Sequence, residues 1–147
     1  MQQPRIPYTT LAADAFNALV QVSATLGKGG LGKPLLELVY TRVSQINGCG
    51  YCLDMHTRTL RAGGEESRRL DTLAGWRESP FFSARERAAL AWAEALTDVA
   101  HTHAPDSVFE ALRPHFGDRE IAELTMAVGT INAWNRIAVG MRTPIPT

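Results

Sequence analysis

The sequence predicts an all-α fold, and three observations carry that expectation. Apolar residues recur at spacings of three and four through nearly the whole chain. The segments patterned in this way are bounded by residues that start and stop helices. No convincing run of alternating apolar and polar residues interrupts them. At 147 residues the chain fits a single domain, residues 1–147, large enough to bury a core.

In order, Thr10 to Leu26 places Leu11, Ala15, Phe16, Leu19, Val22 and Leu26 on one face, and Gly27, Gly29 and Gly30 end the run. A second helix starts near Pro34, a residue suited to a first helical turn, and runs through Leu35, Leu36, Val39, Val43 and Ile46 to Gly48. The third begins at the cysteines and continues to Gly63 and Gly64. Glu65 to Trp76 reads as a short helix closed by the break at Ser79 and Pro80. Ser83 with Glu86 is a capping-box signature, and Ala88, Ala89, Leu90, Trp92, Ala93, Ala95 and Leu96 follow. Pro105 opens a further helix ending near Phe116 and Gly117, and Asp118 caps a long final one from Ile121 to Val139. The expectation is a bundle of about six to seven helices. The alanine-rich helix and the last one are apolar over a broad arc, so each is central in the core or shared with a neighbouring subunit. Thr143 to Thr147 reads as an extended tail.

Fifteen basic residues against fifteen acidic ones leave no net charge, which argues against nucleic acid or an anionic membrane as partner. It also does little to discourage self-association. No apolar run has the length of a signal peptide or a membrane span. The expected setting is therefore cytoplasmic, where a dithiol stays reduced unless its own chemistry oxidises it.

The chemistry concentrates in one stretch. The only two cysteines, Cys49 and Cys52, lie three residues apart; His56 follows, and Glu37 precedes them on the second helix. Two thiols, an imidazole and a carboxylate are the parts of a redox-active thiol site with its own proton relay. At the N-terminal turn of a helix, the unpaired amides and the helix dipole favour thiolate over thiol. His56 is one turn beyond Cys52. The tight turn at Gly48 makes the second and third helices antiparallel neighbours, which brings Glu37 level with His56. A carboxylate there orients the imidazole and raises its basicity, and Cys52 rather than Cys49 is the thiol within its reach. Two other readings compete: a pair of inert buried thiols, and a zinc site using Cys49, Cys52 and His56, for which no fourth ligand stands nearby in sequence.

The pattern Glu37-x11-Cys49-x2-Cys52-x3-His56 resembles the alkylhydroperoxidase D-like branch of the carboxymuconolactone decarboxylase superfamily. Further similarity lies in Arg77 to Ser83, Glu86 to Thr97 and Ile131 to Ile137. The resemblance implies an all-helical subunit assembling as a homotrimer or homohexamer, and hydroperoxide reduction that needs no metal or organic cofactor. It implies that Cys52 attacks the hydroperoxide, Cys49 resolves the sulfenic acid to a disulfide, and Glu37 with His56 relays protons. An external dithiol or disulfide reductant protein then restores the thiols. The family's pattern has a second histidine just before the second cysteine; here that residue is Tyr51, which does not titrate near neutral pH. The decarboxylase chemistry of the superfamily does not call for a paired dithiol. The rivals are a disulfide relay or redox sensor acting on protein partners, and a zinc-binding helical oligomer.

Elsewhere, Trp76, Trp92 and Trp134 read as core or interface anchors. Asn132, Asn135 and Arg136 suit the mouth of the site or, better, hydrogen bonds between subunits. His101 and His103 fall in an exposed loop, and Arg58, Arg61, Arg68 and Arg69 form a solvated basic face.

Overall fold

Start and stop residues set the helix boundaries. The computed structural model describes residues 3–147. Among the described residues the α-helical segments are α1 (Tyr8–Leu11), α2 (Ala13–Gly27), α3 (Lys33–Asn47), α4 (Gly50–Ala62), α5 (Ser67–Asp71), α6 (Ala84–Thr97), α7 (Val99–Thr102), α8 (Asp106–Glu110) and α9 (Asp118–Met141). A 3-10 turn spans Leu73–Gly75, and no β-strand occurs among those residues. The fold is all-α, as its periodicity predicts.

Nine segments stand where six or seven were expected because the N-terminal helix is broken in two and α7 was not foreseen; two other helices are cut short. The N-terminal helix breaks at Ala12, whose ψ of 42° is not helical. The turn before it is tied to the far end of the chain, with the Arg5 amide donating to the Met141 carbonyl and the Tyr8 and Thr143 hydroxyls 2.9 Å apart. Helix α5 stops at Asp71 and gives way to the 3-10 turn, the Thr72 hydroxyl bonding the Arg68 carbonyl one turn back. Helix α8 ends at Glu110 because Pro114, with no amide proton to donate, prevents regular helix through the next turn. At α6 the expected capping box is present: the Ser83 hydroxyl accepts from the Glu86 amide at 3.2 Å and Glu86 returns the bond at 2.8 Å. Gly117 rather than Asp118 precedes α9, and Glu120 accepts its amide at 3.0 Å.

Helix α3 is the platform of the molecule. It packs against α4, α6 and α9, so it is buried on more than one face. Leu38, Val39 and Val43 are fully buried on it. Val39 and Val43 share a core with Trp92 of α6 and Leu124, Val128 and Ile131 of α9. Leu38 packs in a second cluster with Leu73, Trp76, Phe82 and Leu90. Each such side chain contributes roughly 1.5–3 kcal/mol on burial, so α3 cannot shift without losing several of them. The alanine-rich α6 is central here, with Ala89, Leu90, Trp92, Ala93 and Ala95 buried. Helix α2, by contrast, buries only Leu26 and leaves Val20 exposed. Among the described residues no helix is long and apolar enough to cross a membrane.

Arg69 departs from the solvated face expected of it. It binds Glu65 at 2.7 Å, Glu86 at 2.6 Å and the Phe81 carbonyl, which clamps α5 to the start of α6.

Candidate active site

The site is assembled by the reversal between α3 and α4. Gly48 adopts a left-handed conformation, φ 66°, which glycine reaches without steric cost, and the Cys49 amide turns back to the Ser44 carbonyl at 3.1 Å. Cys49 then caps α4. Its sulfur accepts the Cys52 amide at 3.3 Å, the role a serine or aspartate oxygen plays at most helix starts. The positive end of α4 is thereby directed at this sulfur, which favours the thiolate form when Cys49 is reduced.

Cys49 and Cys52 form a disulfide, with Cα atoms 5.3 Å apart. Both are buried, at 1% and 2% exposure. Only Cys52 lines the adjacent cavity.

One turn further along α4, His56 meets Glu37 of α3. Nδ1 of the imidazole and Oε2 of the carboxylate are 2.7 Å apart, and both side chains are largely buried. A carboxylate oxygen only accepts, so the proton in this bond resides on Nδ1. Nε2 is left as the imidazole's second nitrogen, buried and without a hydrogen-bond partner in the protein among the described residues. The Tyr40 ring packs against the imidazole, with centroids 5.2 Å apart. Burial, reinforced by the Glu37 carboxylate, pushes the Tyr40 phenol up to about 12.

The cavity holds about 410 Å³ and is mostly apolar. Leu36 and Tyr40 of α3, Cys52 and His56 of α4, Phe16 of α2 and Trp134 of α9 line it. Phe16 and Trp134 meet edge to face at 5.4 Å, and the Trp134 indole donates to the Ser23 hydroxyl at 2.9 Å. Trp76 and Trp92 are core residues as expected, whereas Trp134 is half-buried and forms a cavity wall.

Behind the disulfide lies a polar network within the chain. Asn47 donates to Asn132 and Asn135, both at 2.9 Å, and Asn135 donates to the Ser44 hydroxyl at 3.0 Å. Asn132 donates to Thr97 at 3.1 Å, and Arg136 binds Asn132. Asn135 is fully buried, so its hydrogen bonds are made inside the chain and not at the mouth of the site or between subunits. They pin the last turn of α3 to α9, and with it the reversal that carries Cys49. Each buried group left without its partner would cost about 1–3 kcal/mol. The clue in the sequence was the run Asn132, Asn135 and Arg136 on an otherwise apolar helix.

His101 and His103 are exposed, His101 on α7 beside Asp98. Among the described residues no three His, Cys, Asp or Glu side chains are grouped to hold a metal ion.

An all-helical chain with a paired cysteine at a helix start, backed by a buried carboxylate and imidazole, defines the AhpD-like core. The chain belongs to the carboxymuconolactone decarboxylase family, whose model matches residues 11–95 and so includes Glu37, Cys49, Cys52 and His56. A crystal structure of a protein of unknown function from Agrobacterium tumefaciens, suggested to be the antioxidant defence protein AhpD, superposes with a TM-score of 0.94. That protein is 42% identical, and the match covers 99% of each chain. The uncharacterized protein YdfG of Bacillus subtilis is 32% identical over 137 residues, 93% of both chains. The alkyl hydroperoxide reductase AhpD of Bradyrhizobium diazoefficiens is 49% identical over 47 residues, 32% of this chain and 26% of that one.

Proposed function

We propose that the protein is a thiol-dependent peroxidase that reduces organic hydroperoxides, with Cys52 as the attacking sulfur. The observation that carries this reading is that Cys52 and His56 line one apolar cavity while Glu37 holds the far side of the imidazole. In the reduced protein, Nε2 of His56 takes the Cys52 thiol proton and leaves a thiolate beside an imidazolium. The thiolate attacks the terminal oxygen of the hydroperoxide. A sulfur–oxygen bond forms, the oxygen–oxygen bond breaks, and the departing alkoxide receives the imidazolium proton. Sulfur is oxidised by two electrons and the hydroperoxide becomes an alcohol.

The Cys49 thiol then displaces water from the Cys52 sulfenic acid and forms the disulfide. The helix-capping position of Cys49 favours it as the thiolate in this step and as the leaving sulfur when an external dithiol reduces the disulfide. That external dithiol is the second substrate of the cycle. The mostly apolar walls suit an alkyl or aryl hydroperoxide better than hydrogen peroxide. Apolar side chains left exposed along the N-terminal helices and α9, Leu11, Val20 and Val139 among them, support self-association as part of the same reading.

Thiol counting tests the proposal. Reduced protein mixed with one equivalent of an organic hydroperoxide is expected to lose both alkylatable thiols and release one equivalent of the alcohol. Thiols that stay fully alkylatable over minutes would rule peroxide out as the substrate and leave disulfide exchange with partner proteins as the working alternative.

A further inference from the structure

Tyr40 lies one turn beyond Glu37 on α3 and forms part of the cavity wall with Cys52 and His56. It is 9% exposed, and a buried phenol ordinarily finds a partner for its hydroxyl. Among the described residues no protein group bonds the Tyr40 hydroxyl, and that oxygen keeps some solvent contact, since Nε2 of His56 is the one fully buried side-chain polar atom left without a partner. Other hydroxyls on the cavity are committed: Ser23 receives the Trp134 indole, Thr130 donates to the Met126 carbonyl, and Tyr8 is paired with Thr143. Tyr51, which also lines the cavity, is the exception; it is only half-buried and packs against the cluster of Cys49, Cys52 and Ala138. Nε2 of His56 and the Tyr40 hydroxyl, a basic nitrogen and a phenol side by side on the cavity, are thus both without a partner in the protein among the described residues.

Resting on the thiol-peroxidase reading above, we infer that the Tyr40 hydroxyl is a further catalytic group, donating a hydrogen bond to the departing oxygen of the hydroperoxide. When the Cys52 thiolate attacks the terminal oxygen, negative charge builds on the oxygen bonded to carbon. The imidazolium supplies the proton that this oxygen finally keeps. Tyr40 retains its own proton and stabilises the charge while it forms, in a cavity whose walls are mostly apolar. A phenol is a protonated donor at neutral pH, and burial beside Glu37 moves this one further from ionisation. The alternative is that Tyr40 is only a shelf on which the His56 ring rests.

Tyr40→Phe separates the two, because the ring against His56 stays and only the hydroxyl is lost. Single-turnover oxidation of the reduced protein would be followed with a tertiary alkyl hydroperoxide and with a peroxy acid. The alkoxide leaving group of the first needs stabilisation, and the carboxylate of the second does not. The expected result is a loss of about tenfold to a hundredfold with the alkyl hydroperoxide and of less than about threefold with the peroxy acid. An equal loss with both reagents, or no loss with either, would overturn the role of Tyr40 and leave the peroxidase reading standing. A parent protein that reacts with neither reagent would overturn both.

Discussion

Cys52→Ser is expected to reduce hydroperoxide turnover to background with every hydroperoxide and every reductant. In the proposed reaction this sulfur supplies the electron pair that cleaves the oxygen–oxygen bond, and a serine hydroxyl can neither ionise near neutral pH nor be oxidised to the next step of the cycle. Cys52 is the cysteine that reaches the cavity, so Cys49, buried and not part of the cavity wall, cannot take its place. The substitution exchanges one buried sulfur for a smaller oxygen and removes the disulfide. Its fair comparison is therefore the reduced parent, and matched circular dichroism and melting curves exclude unfolding as the cause. Hydroperoxide consumption by Cys52→Ser at the parent rate would remove the mechanism.

Glu37→Gln is expected to lower kcat/KM by about a hundredfold or more, with a small effect on KM. The carboxylate does two things to His56. It adds negative charge beside the ring, and as a pure acceptor it keeps the proton on Nδ1 and frees Nε2 as a base. An amide at the same position is neutral and can turn its NH2 toward Nδ1, which drives the ring proton onto Nε2 and blocks proton uptake from Cys52. The thiolate absorbance of the reduced protein is the readout that a merely structural role would not move. It should fall in Glu37→Gln while the melting temperature stays near that of the parent. An unchanged thiolate signal together with an unchanged rate would reduce Glu37 to a packing residue.

The geometry around these residues was legible to different depths. The meeting of Glu37 and His56 follows from local features: Pro34 near the start of α3, Gly48 past its end, and apolar spacing that aligns two antiparallel helices. Such an argument needs only one tight turn and the helix rise. The cavity needs more. Phe16 and Trp134 come from opposite ends of the chain, and periodicity shows that each lies on an apolar stripe without showing that the two stripes face each other across Cys52.

The partners of the α9 asparagines were not legible, for a related reason. A polar side chain on an apolar helix signals a partner, but whether that partner is another subunit or the end of α3 is a tertiary fact. Arg69 was misread because its three acceptors lie on two segments joined by an irregular turn. Pro114 was different. Its missing amide proton could have ended the eighth helix on the sequence alone.

The most direct test of the central claim is to find where the oxygen goes. Cys49→Ser, reduced and treated with one equivalent of an organic hydroperoxide in the presence of a sulfenic-acid trap, holds the reaction at its first step. The account predicts one trapped adduct per chain, on the peptide containing Cys52, formed as fast as the alcohol is released. A chain that releases no alcohol, with its remaining thiol still fully alkylatable, would contradict it.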